Sequence, residues 1–91
     1  MSNAKLLKLN DLPNIGPQLA KLLLQVGVET TAQLKCSNAE SLFVQIRAFD
    51  PNACVCKLMA IDGAIKGIRW HDLPLERKTE LKQFVRLLDR A

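Results

Sequence analysis

Apolar residues recur along this chain at steps of three and four, the spacing of one face of a helix. Leu19, Leu22, Leu23 and Val26 form the first such stripe. It predicts a helix that opens at Pro17, where a missing N–H costs nothing, and stops at Gly27. Thr30-Thr-Ala-Gln33 is a capping-box pattern, in which Gln33 reaches back to the Thr30 N–H, and Ser37-Asn-Ala-Glu40 repeats it. The helix opened by Ser37 carries Leu42, Phe43, Ile46 and Phe49 on one face and must end before Pro51, with Asp50 in a cap-like position. From Pro51 a further helical pattern runs through Leu58, Ile61 and Ile65 to a stop at Gly67. Asp72-Leu73-Pro74 opens the last helix, whose buried stripe is Leu81, Phe84, Val85 and Leu88. No segment alternates over strand length. The pattern predicts an all-α domain, a compact bundle of about five helices. From Leu12 on, an apolar entry, a glycine turn, a helix, a second turn at Gly27-Val28 and another short helix outline a helix–hairpin–helix element.

Composition narrows the class. The 91 residues make one domain, 1–91, in which Ser2-Asn3-Ala4 resembles a cloning remnant. With 48% hydrophobic and 24% charged residues the chain reads as soluble and globular. It has no tyrosine, and Phe43, Phe49, Phe84 and Trp70 are its aromatics. That argues against modules that stack bases on aromatic platforms. A net charge of +4, from 13 basic and 9 acidic residues, permits a polyanionic partner without demanding one. No stretch approaches the roughly 20 apolar residues of a membrane span, so no membrane partner is expected. Three cysteines, an odd number with no secretory signal, point to the cytoplasm and reduced thiols.

The candidate chemistry lies in two stretches. In Asn14-Ile15-Gly16-Pro17, Gly16 lets a phosphate approach the backbone closely, and Ile15 plugs into the core. The N–H groups of Gly16, Gln18 and Leu19 are donors, and Lys21 lies one turn on as a point charge. Asn14 tolerates a left-handed backbone, but its side chain is placed to crowd the phosphate. The plainer reading is that Gly-Pro only starts a helix. In the second stretch, Trp70 is expected to anchor the core with its indole N–H on a carbonyl. Asp72 is expected to help cap the last helix and His71 to make a local polar bond. Arg69 either binds an anion or braces the junction. His71 and Asp72 have no nucleophile or third group beside them, so no catalysis is expected.

Other features read as structural. Cys36, Cys54 and Cys56 are expected as small core residues, since a zinc site needs about four ligands and His71 is the sole histidine. No metal or cofactor is expected. Arg77, Lys78 and Lys82 either form a solvated face paired with Glu76 and Glu80 or, with Arg69, extend a secondary basic surface from the glycine turn.

The turn resembles the nonspecific DNA-binding helix–hairpin–helix pattern of repair and recombination proteins, Leu-Pro-Gly-Ile-Gly-Pro followed by Ala-Lys-x-Leu. Leu12-Pro13, Ile15-Gly16-Pro17 and Ala20-Lys21 match it, and Asn14 stands where the first glycine would be. Over nearly the whole chain, roughly Leu9 to Leu88, "LPNIGPQLAKLL" and "AIDGAIKGIRWHDLPLERKTELK" resemble the C-terminal domain of the TfoX/Sxy family, bacterial regulators of natural transformation. The resemblance implies a helical fold with a helix–hairpin–helix element and a role in activating DNA-uptake genes. In full-length members an N-terminal domain precedes this one, so the chain is expected as an excised or stand-alone domain. The expected function is a noncatalytic regulatory module that contacts DNA backbone through Asn14, Gly16, Gln18 and Lys21, a transcription factor or other protein, or both. The alternative is a protein-interaction domain that keeps the hairpin as scaffold and receives a partner helix near Gly63 and Gly67. Oligomeric state stays open. A basic patch around Gly16 and Lys21 favours DNA; acidic residues or exposed apolar surface there favour protein.

Overall fold

The computed structural model describes Leu12 and residues 14–90. The expectations for Ser2-Asn3-Ala4 and for Pro13 lie outside the described residues. Among the described residues five α-helices follow one another: α1 (Pro17–Gln25), α2 (Thr31–Lys35), α3 (Ala39–Phe49), α4 (Val55–Lys66) and α5 (Leu75–Arg90). A single 3₁₀ turn, Trp70–Asp72, separates the last two. No strand occurs among the described residues, and the all-α expectation holds.

The helix ends follow local chemistry. Pro17 opens α1 after an extended Gly16, and the chain leaves α1 through Gly27 at φ 93°. There the Gly27 and Val28 N–H groups donate to the Leu24 and Leu23 carbonyls, which satisfies carbonyls the helix leaves open. Gly67, at φ 73°, ends α4 in the same way, with the Ile68 N–H donating to the Gly63 carbonyl at 2.9 Å. The Thr30 capping box forms in full. The one expected at Ser37 does not. Asn38 is the N-cap of α3 and accepts from the Ser41 N–H, while the Ser37 hydroxyl donates back to the Gln33 carbonyl. An amide one residue later competes successfully with the hydroxyl for the same role, and Glu40 is released for another task. The helix expected from Pro51 begins at Val55, because Asp50 folds residues 50–53 into a turn with bonds to the Asn52 and Ala53 N–H groups.

Helix α4 is the axis of the bundle and packs against α2, α3, α5 and the 3₁₀ turn. Its buried residues run unbroken from Leu58 to Ala64, around the whole circumference, as expected of a helix enclosed by others. Phe43, Leu23, Leu34, Ile46, Leu58, Ile61 and Leu81 are the large side chains fully removed from solvent. Truncating one of them to alanine costs about 2–5 kcal/mol, a large share of a small domain's stability. Phe49 departs from expectation: it shares the face of Phe43 and Ile46 but lies at the open end of α3, 55% exposed.

Candidate nucleic-acid interface

The turn before α1 presents backbone donors. The first α1 hydrogen bond runs from the Ala20 N–H to the Gly16 carbonyl, 3.0 Å. The Gln18 and Leu19 N–H groups therefore precede the helical ladder, and no side chain among the described residues caps them. Among the described residues, a Cβ placed on Gly16 would meet nothing within 4 Å, so none of them blocks the approach to this backbone. Gly16, Gln18 and Lys21 are all exposed, while Ile15 is 5% exposed and seated in the core. The helix N-terminus adds roughly half a positive charge.

Asn14 holds this turn in place. It is the one non-glycine residue with positive φ among those described, 73°. Its side chain turns inward, away from any ligand at Gly16. Nδ2 donates to the Ile68 carbonyl at 3.0 Å and to the Ala60 carbonyl at 3.5 Å, and Oδ1 accepts from the Trp70 N–H at 3.1 Å. Three backbone groups 46 to 56 residues away are thereby tied to the turn. Gly63 makes room for this clamp. A Cβ there would lie 2.6 Å from Asn14 Nδ2, 2.8 Å from the Ile68 oxygen and 3.1 Å from the Trp70 nitrogen. The space beside Gly63 is thus filled by the chain itself rather than left for a partner helix.

The Trp70 junction is built differently from expectation. Trp70 is half-buried against the core, and its bonded polar group is the backbone N–H on Asn14. The His71 ring stacks on the indole at 3.9 Å between centroids, and Lys78 Nζ donates to the His71 carbonyl at 2.8 Å while lying over the Trp70 ring. Asp72 ends the 3₁₀ turn, and its side chain makes no hydrogen bond among the described residues.

Arg77 is no part of a free basic surface. Its guanidinium is forked onto Asp62 (3.1 Å to each oxygen) and onto Glu40 (2.9 and 3.0 Å), with Glu80 at 3.2 Å. Asp62 also accepts from Lys66 at 2.6 Å. Burial pushes the Asp62 carboxyl upward, but the Arg77 and Lys66 hydrogen bonds and charges outweigh it and hold it below the usual carboxylate range. The Arg77 hydrogen bond likewise lowers Glu40, and these carboxylates raise Arg77 itself. The hub joins α3, α4 and α5. Asp62, Lys66 and this role of Glu40 were missed in the sequence, although a lone carboxylate inside "LMAIDGAI" is a visible signal of a buried ion pair. Lys78 is tethered at the junction, so Arg69 and Lys82 are what remains exposed of the secondary basic set.

A cleft of about 330 Å³ adjoins the turn, lined by Gln18, Lys21, Leu22, Gln25, Phe49 and Asp50. It is mixed in character, with one cation, one carboxylate and an exposed phenyl ring. The three cysteines are exposed, against the expectation that they fill the core. Cys54 is the N-cap of α4 and Cys56 lies in its first turn, at the rim rather than inside the bundle.

Comparison with known proteins agrees with this architecture. Residues 6–85 match the family model described as the TfoX C-terminal domain. The chain is 30% identical over 77 residues to Protein Sxy of Escherichia coli (strain K12), covering 85% of this chain and 37% of that protein. It therefore spans well under half the length of that curated relative. An uncharacterised protein from Listeria monocytogenes, in a triclinic crystal form, superposes with a TM-score of 0.86 at 40% identity, over 89% of this chain and 92% of that one. A Listeria monocytogenes protein of unknown function, in a tetragonal form, gives a TM-score of 0.84 at 40% identity, over 88% and 99%.

Proposed function

The chain belongs to the TfoX C-terminal domain family, and from that premise we propose a noncatalytic regulatory module of the competence-regulator type that holds DNA backbone through the Gly16–Lys21 turn. One observation carries the reading. Among the described residues, an uncapped helix start, with exposed Gly16 and no atom in the way of its Cβ position, stands beside exposed Lys21. Phosphate oxygens accept from the Gly16 and Gln18 N–H groups, and the Lys21 ammonium adds a point charge. None of these groups reads a base edge, so binding is independent of sequence. Asn14 supports the turn from behind instead of contacting the ligand.

A second reading has its own observation: Phe49, 55% exposed, sits with Asp50 in the cleft beside Lys21. An apolar ring next to a carboxylate and a lysine suits a protein partner with an apolar anchor. One experiment separates the two. Anisotropy of a fluorescein-labelled duplex is measured from 50 to 200 mM salt. Two phosphate contacts at the turn give a log–log slope of about −1.8, so affinity falls at least roughly 12-fold over that range. Lys21→Glu weakens binding about tenfold and flattens the slope by about 1. Absence of binding at micromolar protein in 50 mM salt removes the DNA reading and leaves the protein-partner one.

A further inference from the structure

A larger cleft, about 550 Å³, opens on the far side of the α3–α4 connection. This volume lies within the range of small-ligand sites. Its walls include Arg47, Ala53, Cys54, Lys82, Arg86 and Asp89. Three cations from α3 and α5 meet one carboxylate there, and the carboxylate is already engaged. Asp89 accepts from Arg47 Nη1 at 2.6 Å, while Arg47 Nε donates to the Ala53 carbonyl at 2.7 Å. Those two bonds, with the guanidinium over the Phe43 ring at 4.9 Å, fix Arg47 and leave its Nη2 group unbonded among the described residues. Lys82 and Arg86 stand one turn apart on α5, exposed, and neither forms an ion pair among the described residues. In a folded domain whose other central arginine satisfies three carboxylates, this concentration of unanswered positive charge is distinctive.

The position of the cleft points to its occupant. Phe49 and Asp50 line the cleft beside Lys21, and Pro51, Asn52 and Ala53 line this one. The connection between them is a tight turn closed by the Ala53 N–H on the Asp50 carbonyl at 3.0 Å. The ends of such a turn are less than about 7 Å apart, so the two clefts share a wall that a single polyanion can cross. We propose that the Arg47–Lys82–Arg86 cleft is a second phosphate site for the same DNA backbone, entered across the α3–α4 turn. Arg47 offers its remaining fork nitrogen to a phosphate oxygen, and Lys82 and Arg86 supply charge from the opposite wall. The proposal rests on the DNA reading of the Gly16 turn, and it predicts that this turn alone does not account for the salt dependence.

The test uses the whole 91-residue chain and a fluorescein-labelled 12-base-pair duplex. About four phosphate contacts give a wild-type slope near −3.6. Lys82→Ala with Arg86→Ala flattens it by about 1.8 and weakens binding at least tenfold at 100 mM salt. Arg90→Ala, an exposed cation outside both clefts, changes the slope by less than about 0.3. Thermal unfolding of the double variant matches wild type. Loss of affinity in Lys21→Glu with an unchanged slope in the double variant overturns the second site and keeps the first. A flattened slope in the double variant with Lys21→Glu neutral keeps the cleft and removes the turn. Equal losses in the double and Arg90 variants reduce the effect to net charge and overturn the proposal. So does binding to phosphatidylserine vesicles without binding to the duplex.

Discussion

Gly63→Ala is the substitution that most sharply tests how the candidate turn is held. In an exposed helix this change stabilises by about 1 kcal/mol, because glycine is the poorer helix former. Here the new methyl carbon would stand 2.8 Å from the Ile68 oxygen and 3.1 Å from the Trp70 nitrogen, both backbone atoms, and 2.6 Å from Asn14 Nδ2. Backbone at Ile68–Trp70 is anchored on one side by the Ile68 N–H bond to Gly63 and on the other by the 3₁₀ turn, so it yields little. Overpacking of this kind costs about 1–3 kcal/mol. Displacing the Asn14 amide forfeits its two shorter hydrogen bonds, to the Ile68 carbonyl and from the Trp70 N–H, at about 1 kcal/mol each, more where a group is left unpaired. After subtracting the helix-propensity gain, the net loss is about 2–4 kcal/mol, or roughly 10–30 °C in Tm for a domain of this size. Urea unfolding followed by far-UV circular dichroism and Trp70 fluorescence measures it. Combining the change with Asn14→Gly, which keeps the left-handed turn and removes the amide, recovers at least about 1 kcal/mol of the penalty, a coupling expected of groups in contact. Equal or greater stability of Gly63→Ala, or strict additivity with Asn14→Gly, would refute the clamp.

Two further outcomes follow from the charges. Glu40 and Asp62 titrate below their ordinary values because of Arg77. Their contribution to stability is therefore complete above the unfolded carboxylate values, near pH 4–4.5, and is lost as pH falls through the lowered folded values. Arg77→Met leaves the Asp62 carboxylate, 4% exposed, with Lys66 as its one remaining cation among the described residues; it costs about 2–4 kcal/mol at pH 7 and less at pH 3, measured by urea unfolding at both. The backbone N–H of Cys56 holds the Cys54 thiol below the ordinary range, whereas burial and then the Cys54 charge push Cys56 upward. Iodoacetamide at pH 7.5 then alkylates Cys54 ahead of Cys56, as peptide mass spectrometry reports.

Much of this fold was legible in the order of apolar residues, because helical spacing and helix ends are local. Pro17, Gly27, the Thr30 box and Gly67 mark where α1, α2 and α4 begin or end, and they do so in the structure. What was not legible depends on contacts distant in the chain. Nothing local reveals that Asn14 reaches Ile68 and Trp70, or that Gly63 is small to admit it. Arg77 looked like one more surface cation until Glu40 and Asp62 converged on it from two other helices. The cysteines misled for a related reason. Free thiols are commonly buried, but the turn at residues 50–53 delays α4 and leaves Cys54 and Cys56 at its exposed start. Of the candidate residues, Gly16, Gln18 and Lys21 are exposed at the start of α1, while the Asn14 side chain turns inward to Ile68 and Trp70.

Amide chemical shifts show whether DNA phosphate sits on the Gly16 turn. A ¹⁵N-labelled chain is titrated with an unlabelled 12-base-pair duplex at 50 mM salt. Saturable shifts of the Gly16 and Gln18 amides are expected, larger than those of the core amides at Leu58 and Ile61 and needing roughly tenfold more duplex in Lys21→Glu. Unshifted Gly16 and Gln18 amides at saturating duplex would contradict the phosphate contact.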